Sequence, residues 1–328
     1  MNKTSVDGTL SHTFRGLLPA LALCATAAWS QTAPGIGGPH RPPVMPARAA
    51  SAKIAADTPA GAHYKFLTIG PEDSPYVVAD GIDNAGLVTG YYEDSSSVFH
   101  GFVWRNGAFQ TVDYPGAAYT YLFGVNNRGV AIGYYGDGTT NHTVTYNVAS
   151  GAWTALPDIP NYSQNDGYCV NDLGVAVGNA FGTSTAAAWL WDPATLSYFF
   201  MAVPGAADYS TSPSCLNDRN QVAGYYVDAS GAYQGFIEHG GVYKTVVVPG
   251  AEDTYPDGIN NAGTIQGQIF DAEGVAEGFV ASSGGIYTIV NYPGSLSTAV
   301  VGINDRGDLC GAYGLADGTE KGFIAVVQ

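Results

Sequence analysis

The amino-acid sequence predicts an all-β fold: a six-bladed β-propeller of four-stranded blades, with an N-terminal strand closing the last blade. Three observations predict it. A ten-residue pattern is written six times, as GIDNAGLVTG from Gly81, GVNNRGVAIG from Gly124, CVNDLGVAVG from Cys169, CLNDRNQVAG from Cys215, GINNAGTIQG from Gly258 and GINDRGDLCG from Gly302. Successive copies start 43, 45, 46, 43 and 44 residues apart, a period that marks a repeat architecture with one supersecondary unit per copy. Within each copy the apolar residues fall in short runs between hairpin turns, never at helical intervals, which gives four strands per unit.

The elements follow in chain order. Lys3 and Arg15 precede an apolar run from Leu17 to Ala25 and the small residues Ala27, Ala28 and Ser30, so residues 1–30 read as an export signal cleaved after Ser30. The run is too short to span a bilayer. Leu23, just before Cys24, stands where a lipid-attachment signal needs a small residue. Residues 31–62, rich in Pro, Ala and Gly, read as a disordered spacer. The propeller is expected over residues 63–328.

Blade one shows the unit. Gly81-Ile82 leads into a turn at Asp83-Asn84-Ala85-Gly86, then Leu87 to Tyr92 forms an apolar strand. His100-Gly101-Phe102-Val103-Trp104 is the third strand, Arg105-Asn106-Gly107 the second hairpin turn, and the strand from Ala108 ends at Pro115-Gly116. Asx side chains cap such turns and glycine accepts their positive φ. The sixth unit stops at Gln328 after its third strand, while Tyr64 to Pro71 precedes the first motif as an unassigned closing strand. Pairing the two would close the ring and remove the exposed sheet edges.

The recurring Gly-Ile-Asn-Asn/Asp-x-Gly-x-Val-x-Gly, followed by His100-Gly101-Phe102-Val103-Trp104 and a Thr-Val/Ile strand ending in Pro-Gly, resembles the HAF-repeat family of probable extracellular bacterial proteins over residues 64–328. The family's third-strand pattern matches in part: His100 and Phe102, then His142, then Phe236, Phe279 and Phe323. The resemblance implies secretion and repeats; it implies no reaction and no catalytic residue.

Composition narrows the function. Forty-four glycines and 22 tyrosines against three methionines suit strands and turns. The net charge is -16, and beyond residue 62 seven bases face 26 acids, so nucleic acid is excluded as a partner. Once the signal is removed, Cys169, Cys215 and Cys310 remain, an odd number. Cys169 and Cys215 occupy equivalent places on neighbouring inner strands, which are expected to lie beyond the roughly 4.4–6.8 Å Cα spacing of a disulfide, leaving buried thiols.

Catalytic and metal motifs are missing from the pattern. The third-strand position reads His100, His142, Ala187, Gln234, Glu277 and Lys321, too varied for a metal ring or shared acid/base, and reads as surface. His239 falls in a turn, and His12 and His40 lie before the repeats. The Asx-rich turns carry oxygens but lack the longer Asp-rich loop of a calcium site, so no metal and no cofactor is expected. No nucleophile elbow, phosphate loop or zinc-protease helix occurs.

Sorting the loops by face gives the candidate site. One side carries the blade-to-blade connections, with Glu72, Asp73, Tyr76, Tyr119, Tyr121, Tyr162, Asp166, Tyr168, Asp208, Tyr209, Glu252, Asp253, Tyr255 and Asp257. The other holds Arg105, Arg128, Arg219 and Arg306 in short turns. Tyrosine faces stack on sugars and carboxylates accept hydroxyl hydrogen bonds, so the first side is expected to bind a polysaccharide or cell-surface ligand. A secreted, monomeric binding module with no membrane span is the leading expectation. A glycoside hydrolase or polysaccharide lyase using carboxylates at the axial mouth is the second, and a structural or protein-interaction scaffold the third. Val88, Ala131, Ala176, Val222, Ile265 and Leu309 are expected to be buried between blades. Glycines two residues further on are expected to avoid crowding the next blade.

Overall fold

Each Asx-x-x-Gly motif folds because one side chain satisfies its own turn. Asp83 Oδ1 accepts the N–H groups of Ala85 at 2.7 Å and Leu87 at 2.8 Å, with Gly86 at φ 78°. Asn126, Asn171, Asn217, Asn260 and Asn304 repeat the arrangement. Where the fourth copy lacks glycine, Asn220 takes the left-handed conformation at φ 55°, which asparagine tolerates better than most side chains.

The computed structural model describes residues 64–328, so the expected signal peptide, the spacer and His12 and His40 lie outside the described residues. β1 (Tyr64–Ile69) comes first. Blade 1 is β2 (Val77–Ile82), β3 (Val88–Glu93), β4 (Phe99–Arg105) and β5 (Ala108–Val112); blade 2 is β6 (Tyr119–Val125), β7 (Val130–Gly136), β8 (Asn141–Asn147) and β9 (Ala152–Ala155). Blade 3 is β10 (Gln164–Val170), β11 (Ala176–Phe181), β12 (Ala186–Asp192) and β13 (Ser197–Met201); blade 4 is β14 (Ser212–Leu216), β15 (Val222–Val227), β16 (Tyr233–His239) and β17 (Val242–Val246). Blade 5 is β18 (Asp253–Ile259), β19 (Ile265–Phe270), β20 (Ala276–Ala281) and β21 (Tyr287–Ile289); β22 (Ser297–Ile303), β23 (Leu309–Gly314) and β24 (Glu320–Val327) begin blade 6.

β1 completes blade 6, pairing antiparallel with β24 from Tyr64 opposite Val327 to Ile69 opposite Gly322, as the complementary ends required. A parallel pairing of Gln164 with Asn141 links blades 2 and 3. The inner strands β2, β6, β10, β14, β18 and β22 touch in a closed cycle around a channel.

The six positions expected to be buried, Val88, Ala131, Ala176, Val222, Ile265 and Leu309, are at most 4% exposed. The glycines that follow have a different cause from the one expected. A Cβ on Gly133 would lie 1.9 Å from Tyr121 O, and one on Gly90 2.0 Å from Val78 O, so the collision is with the inner strand of the same blade. That inner strand carries a register shift in every blade, and the missing side chain lets it press against its neighbour.

Cys169 and Cys215 form a disulfide with a Cα separation of 4.9 Å, correcting the expectation of separate thiols. Inner strands converge just at this position. In the adjoining pair a Cβ on Gly124 would sit 3.1 Å from Cys169 Cα, and one on Gly81 2.8 Å from Gly124 Cα. Cys310 is buried and outside the disulfide.

Two hydrogen-bond belts tie the blades together at the turn end. The residue after each capping Asx donates its backbone N–H to its counterpart's Oδ1 in the next blade: Asn84 to Asn127, Asn127 to Asp172, Asp172 to Asp218, Asp218 to Asn261, Asn261 to Asp305 and Asp305 to Asn84, all within 2.7–2.9 Å. In the second belt the capping asparagines give Nδ2 to the next capping carbonyl, from Asn126 round to Asn304, which reaches Asp83 O at 3.0 Å. Asp83, a carboxylate, has no such donor and lies 3.8 Å from Arg105 instead.

Candidate binding site at the connection face

Opposite the belts, the channel is walled by the first half of each inner strand and the end of each second strand. On blades 1 and 2 this wall is aromatic. Tyr91 lies 4.9 Å from Tyr121, Phe99 stacks on Tyr121 at 5.0 Å, and Tyr76 and Tyr119 flank the group at 6.2 Å from Tyr91 and 5.8 Å from Tyr121. A second cluster gathers around Tyr255, with Tyr225 at 5.0 Å, Tyr233 at 5.1 Å and Phe270 at 5.5 Å. Tyr76, Phe99, Tyr119, Tyr233 and Phe270 are half-buried, so their rings form a rim with surface left to offer.

The candidate residues divide by depth. Tyr121 and Tyr255 are buried beneath the rim, at 1% and 5% exposure, with Asp166 at the same level. Tyr168 and Asp257 lie two residues deeper in the strands and line a chamber in mid-channel. Asp73, Asp208 and Tyr209 are exposed on the connections, outside both aromatic clusters. Tyr162 packs among Ile159, Leu156 and their neighbours at a blade junction. Asp253 accepts the Tyr233 N–H at 2.9 Å, and burial holds its carboxyl above the usual range. The structure therefore brings together Tyr76, Tyr119, Tyr121 and Tyr168, with Asp166 linked to Tyr119 through Asn141, and separately Asp253, Tyr255 and Asp257; Asp73, Tyr162, Asp208 and Tyr209 stand apart from these two groups.

Several rings of the two aromatic clusters and their surroundings lie on strands and so fall outside a sorting of the loops by face. Tyr91, Tyr134 and Tyr225 each follow the second-strand glycine, in Gly-Tyr-Tyr triplets at 90–92, 133–135 and 224–226. Period-two alternation from those glycines would have turned them towards the channel. Polar groups sit among the rings: Tyr119 donates to Asn141 Oδ1 at 2.6 Å, and Asn141 Nδ2 donates to Asp166 Oδ1 at 3.0 Å. Glu320, at 3% exposure, lies beside Tyr76, and burial pushes its carboxyl up to about 8. Burial first, and the Glu320 charge second, raise the Tyr76 hydroxyl well above its ordinary value.

The varied third-strand position is not bare surface. His100 bonds Asp113 at 2.9 Å and Asp94 at 3.3 Å, and His142 bonds Asp158 at 2.9 Å with Asp137 at 3.5 Å. Burial works against the His100 charge, but Asp113 and then Asp94 hold its pKa above the ordinary value. Lys321 donates to the carbonyls of Glu72 and Ser74. These residues brace the connection loops in different chemistries, which hid their shared task from a search for a repeated ligand.

No family model matches the chain, and neither does any curated protein. Among solved structures it is similar to TolB from Acinetobacter baumannii, with TM-score 0.53 and 10% identity over 74% of this chain and 64% of that one. It is also similar to the SapL1 lectin in complex with alpha methyl fucoside, with TM-score 0.50 and 12% identity over 77% of this chain and 95% of that one. The fold is a β-propeller. The propeller thus spans less than two thirds of TolB's length but nearly all of the lectin's. At such identities the likeness extends to the fold alone.

Proposed function

We propose that this propeller is a secreted carbohydrate-binding module that holds a polysaccharide or cell-surface glycan at the connection face. The observation that carries the reading is the rim: half-buried Tyr76, Phe99 and Tyr119 on one side and Tyr233 and Phe270 on the other, with Asn141, Asp166 and Glu320 among them. Aromatic faces supply stacking area at low entropic cost, and the carboxyl and carboxamide groups offer both donors and acceptors to sugar hydroxyls. The similar SapL1 lectin was solved with alpha methyl fucoside, which makes fucosylated glycans the first ligands to try. The resemblance to HAF-repeat extracellular proteins, and the export signal expected over residues 1–30, support secretion. A glycan array followed by product analysis of the retained glycans tests the reading. Retention without turnover supports it, turnover makes the protein a carbohydrate-active enzyme, and neither leaves a scaffold.

A further inference from the structure

Halfway along the channel, below the belts, lies a chamber of about 50 Å³ lined by Asp80, Asp257 and Gln266. Both aspartates are 3% exposed and Gln266 is fully buried. The two acids occupy the same inner-strand position in blades 1 and 5, facing the chamber from either side of blade 6. The equivalent residues elsewhere are Phe123, Tyr168, Ser214 and Val301. No Lys, Arg or His lines the chamber.

Gln266 supplies the independent observation. Its position in blade 1 is held by Thr89, whose hydroxyl donates to Phe123 O at 2.5 Å, and Gln266 Nε2 makes the matching bond to Val301 O at 2.7 Å. A hydroxyl or amide donor is all that inter-blade bond requires. Gln266 brings in addition a carbonyl oxygen, Oε1, which is buried in the wall of an acidic chamber and accepts no hydrogen bond among the described residues. A buried acceptor without a donor is destabilising, and two carboxylates lining one chamber repel each other. One cation would answer all three groups.

We propose that Asp80, Asp257 and Gln266 form a binding site for a divalent cation of the calcium class. Two carboxylates and an amide oxygen are hard donors, and the volume leaves space for water to complete a shell of six to eight oxygens at about 2.3–2.6 Å. Magnesium, which demands a tight octahedron at about 2.0–2.1 Å, fits donors spread over two blades less well. Entry is from the turn end. The cavity under the belts, about 80 Å³, shares Ile82, Val125, Ile259 and Ile303 with the chamber wall, and its mouth carries Asp172, Asp218 and Asp305, which concentrate cations there. This site does not depend on the sugar-binding reading.

The test uses the full chain, stripped with EDTA and titrated with calcium chloride by calorimetry, with melting recorded alongside. Terbium is the second probe, because the Tyr168 ring lines the chamber and can sensitise its emission. About one calcium per chain is expected, with a rise in Tm, and tyrosine-sensitised terbium emission that calcium displaces. Asp257→Asn, Asp80→Asn and Gln266→Met should each weaken calcium by about ten-fold or more, whereas Asp208→Asn, on an exposed connection, should leave it unchanged. Should Asp257→Asn fail to fold, the other two chamber variants carry the comparison. Absence of calcium uptake by the wild-type chain overturns the proposal and leaves the chamber to water or a shared proton. Loss of uptake on Asp172→Asn with none on the chamber variants also overturns it, moving the ion to the belt.

Discussion

The backbone N–H of Asp305 donates to Asn84 Oδ1 at 2.8 Å although 221 residues separate the two. This bond closes a belt of six, and it joins the last repeat to the first at the same end of the channel where each turn caps itself. The motif by which the repeats are recognised thus does two jobs: its first Asx makes the hairpin, and its second fastens one hairpin to the next.

The second belt gives a prediction with an internal control. Asn217 Nδ2 donates to Asn260 O at 3.0 Å, so Asn217→Asp keeps the turn cap but removes the donor from a buried carbonyl. A loss of about 1–3 kcal/mol is expected by denaturant unfolding. Asp83→Asn, at the one link without a donor, should be neutral or stabilising, since the exposed Arg105 at 3.8 Å contributes little. Equal losses for both variants would mean that the belt carries no stability.

Ring closure is tested by truncation. Removing residues 1–60 leaves β1 intact, whereas removing 1–72 strips β24 of its partner and uncovers Phe323, against which Phe66 packs at 5.6 Å. The longer deletion should lower Tm by roughly 10 °C or more, several kcal/mol for a body of this size, and the shorter one should not. Matching melting curves for the two would show that β1 is dispensable.

Much of this fold was legible because a repeat reports itself six times. The Asx turns, the strand count, the closing strand and the buried Val88 series all follow from local chemistry that each copy restates. Depth was not legible. Tyr168 and Tyr121 both lie near blade connections in sequence, yet the register shift at the inner strand sends one into the mid-channel chamber and leaves the other under the rim. The Cys169–Cys215 disulfide was missed for the same reason, since the spacing of inner strands depends on how closely the glycines at that level let them approach. Glu320 occupies a place filled by Phe99 in blade 1 and Tyr233 in blade 4, and nothing local marks it as buried.

Glu320 should make stability depend on pH. Its carboxyl ionises near 4.5 in the unfolded chain but, raised by burial, only near 8 in the folded one. Between these values the folded state holds the extra proton, so the carboxyl's contribution is fully present below about 4.5 and is lost as pH rises towards 8. Glu320→Gln removes the ionisation. It should be more stable than the wild type at pH 7–8 by on the order of 2 kcal/mol, and the difference should vanish near pH 4. Parallel melting curves across that range would place the Glu320 carboxyl in water.

The last prediction concerns the rim. Tyr76 and Tyr119 flank the aromatic cluster and are half-buried, whereas Tyr121 and Tyr255 are buried and their loss would act through stability. Tyr76→Ala and Tyr119→Ala should therefore weaken a retained glycan by about 1 kcal/mol or more, roughly five-fold in Kd, with a smaller change in melting. Tyr209→Ala, on an exposed connection outside the clusters, should leave binding near wild type. Arg128→Ala is the control from the opposite face, where the side chain is exposed beside the belts. Measuring affinity and Tm on the same samples separates lost stacking from lost structure. If Arg128→Ala loses binding while both rim variants keep it, the ligand enters from the turn end.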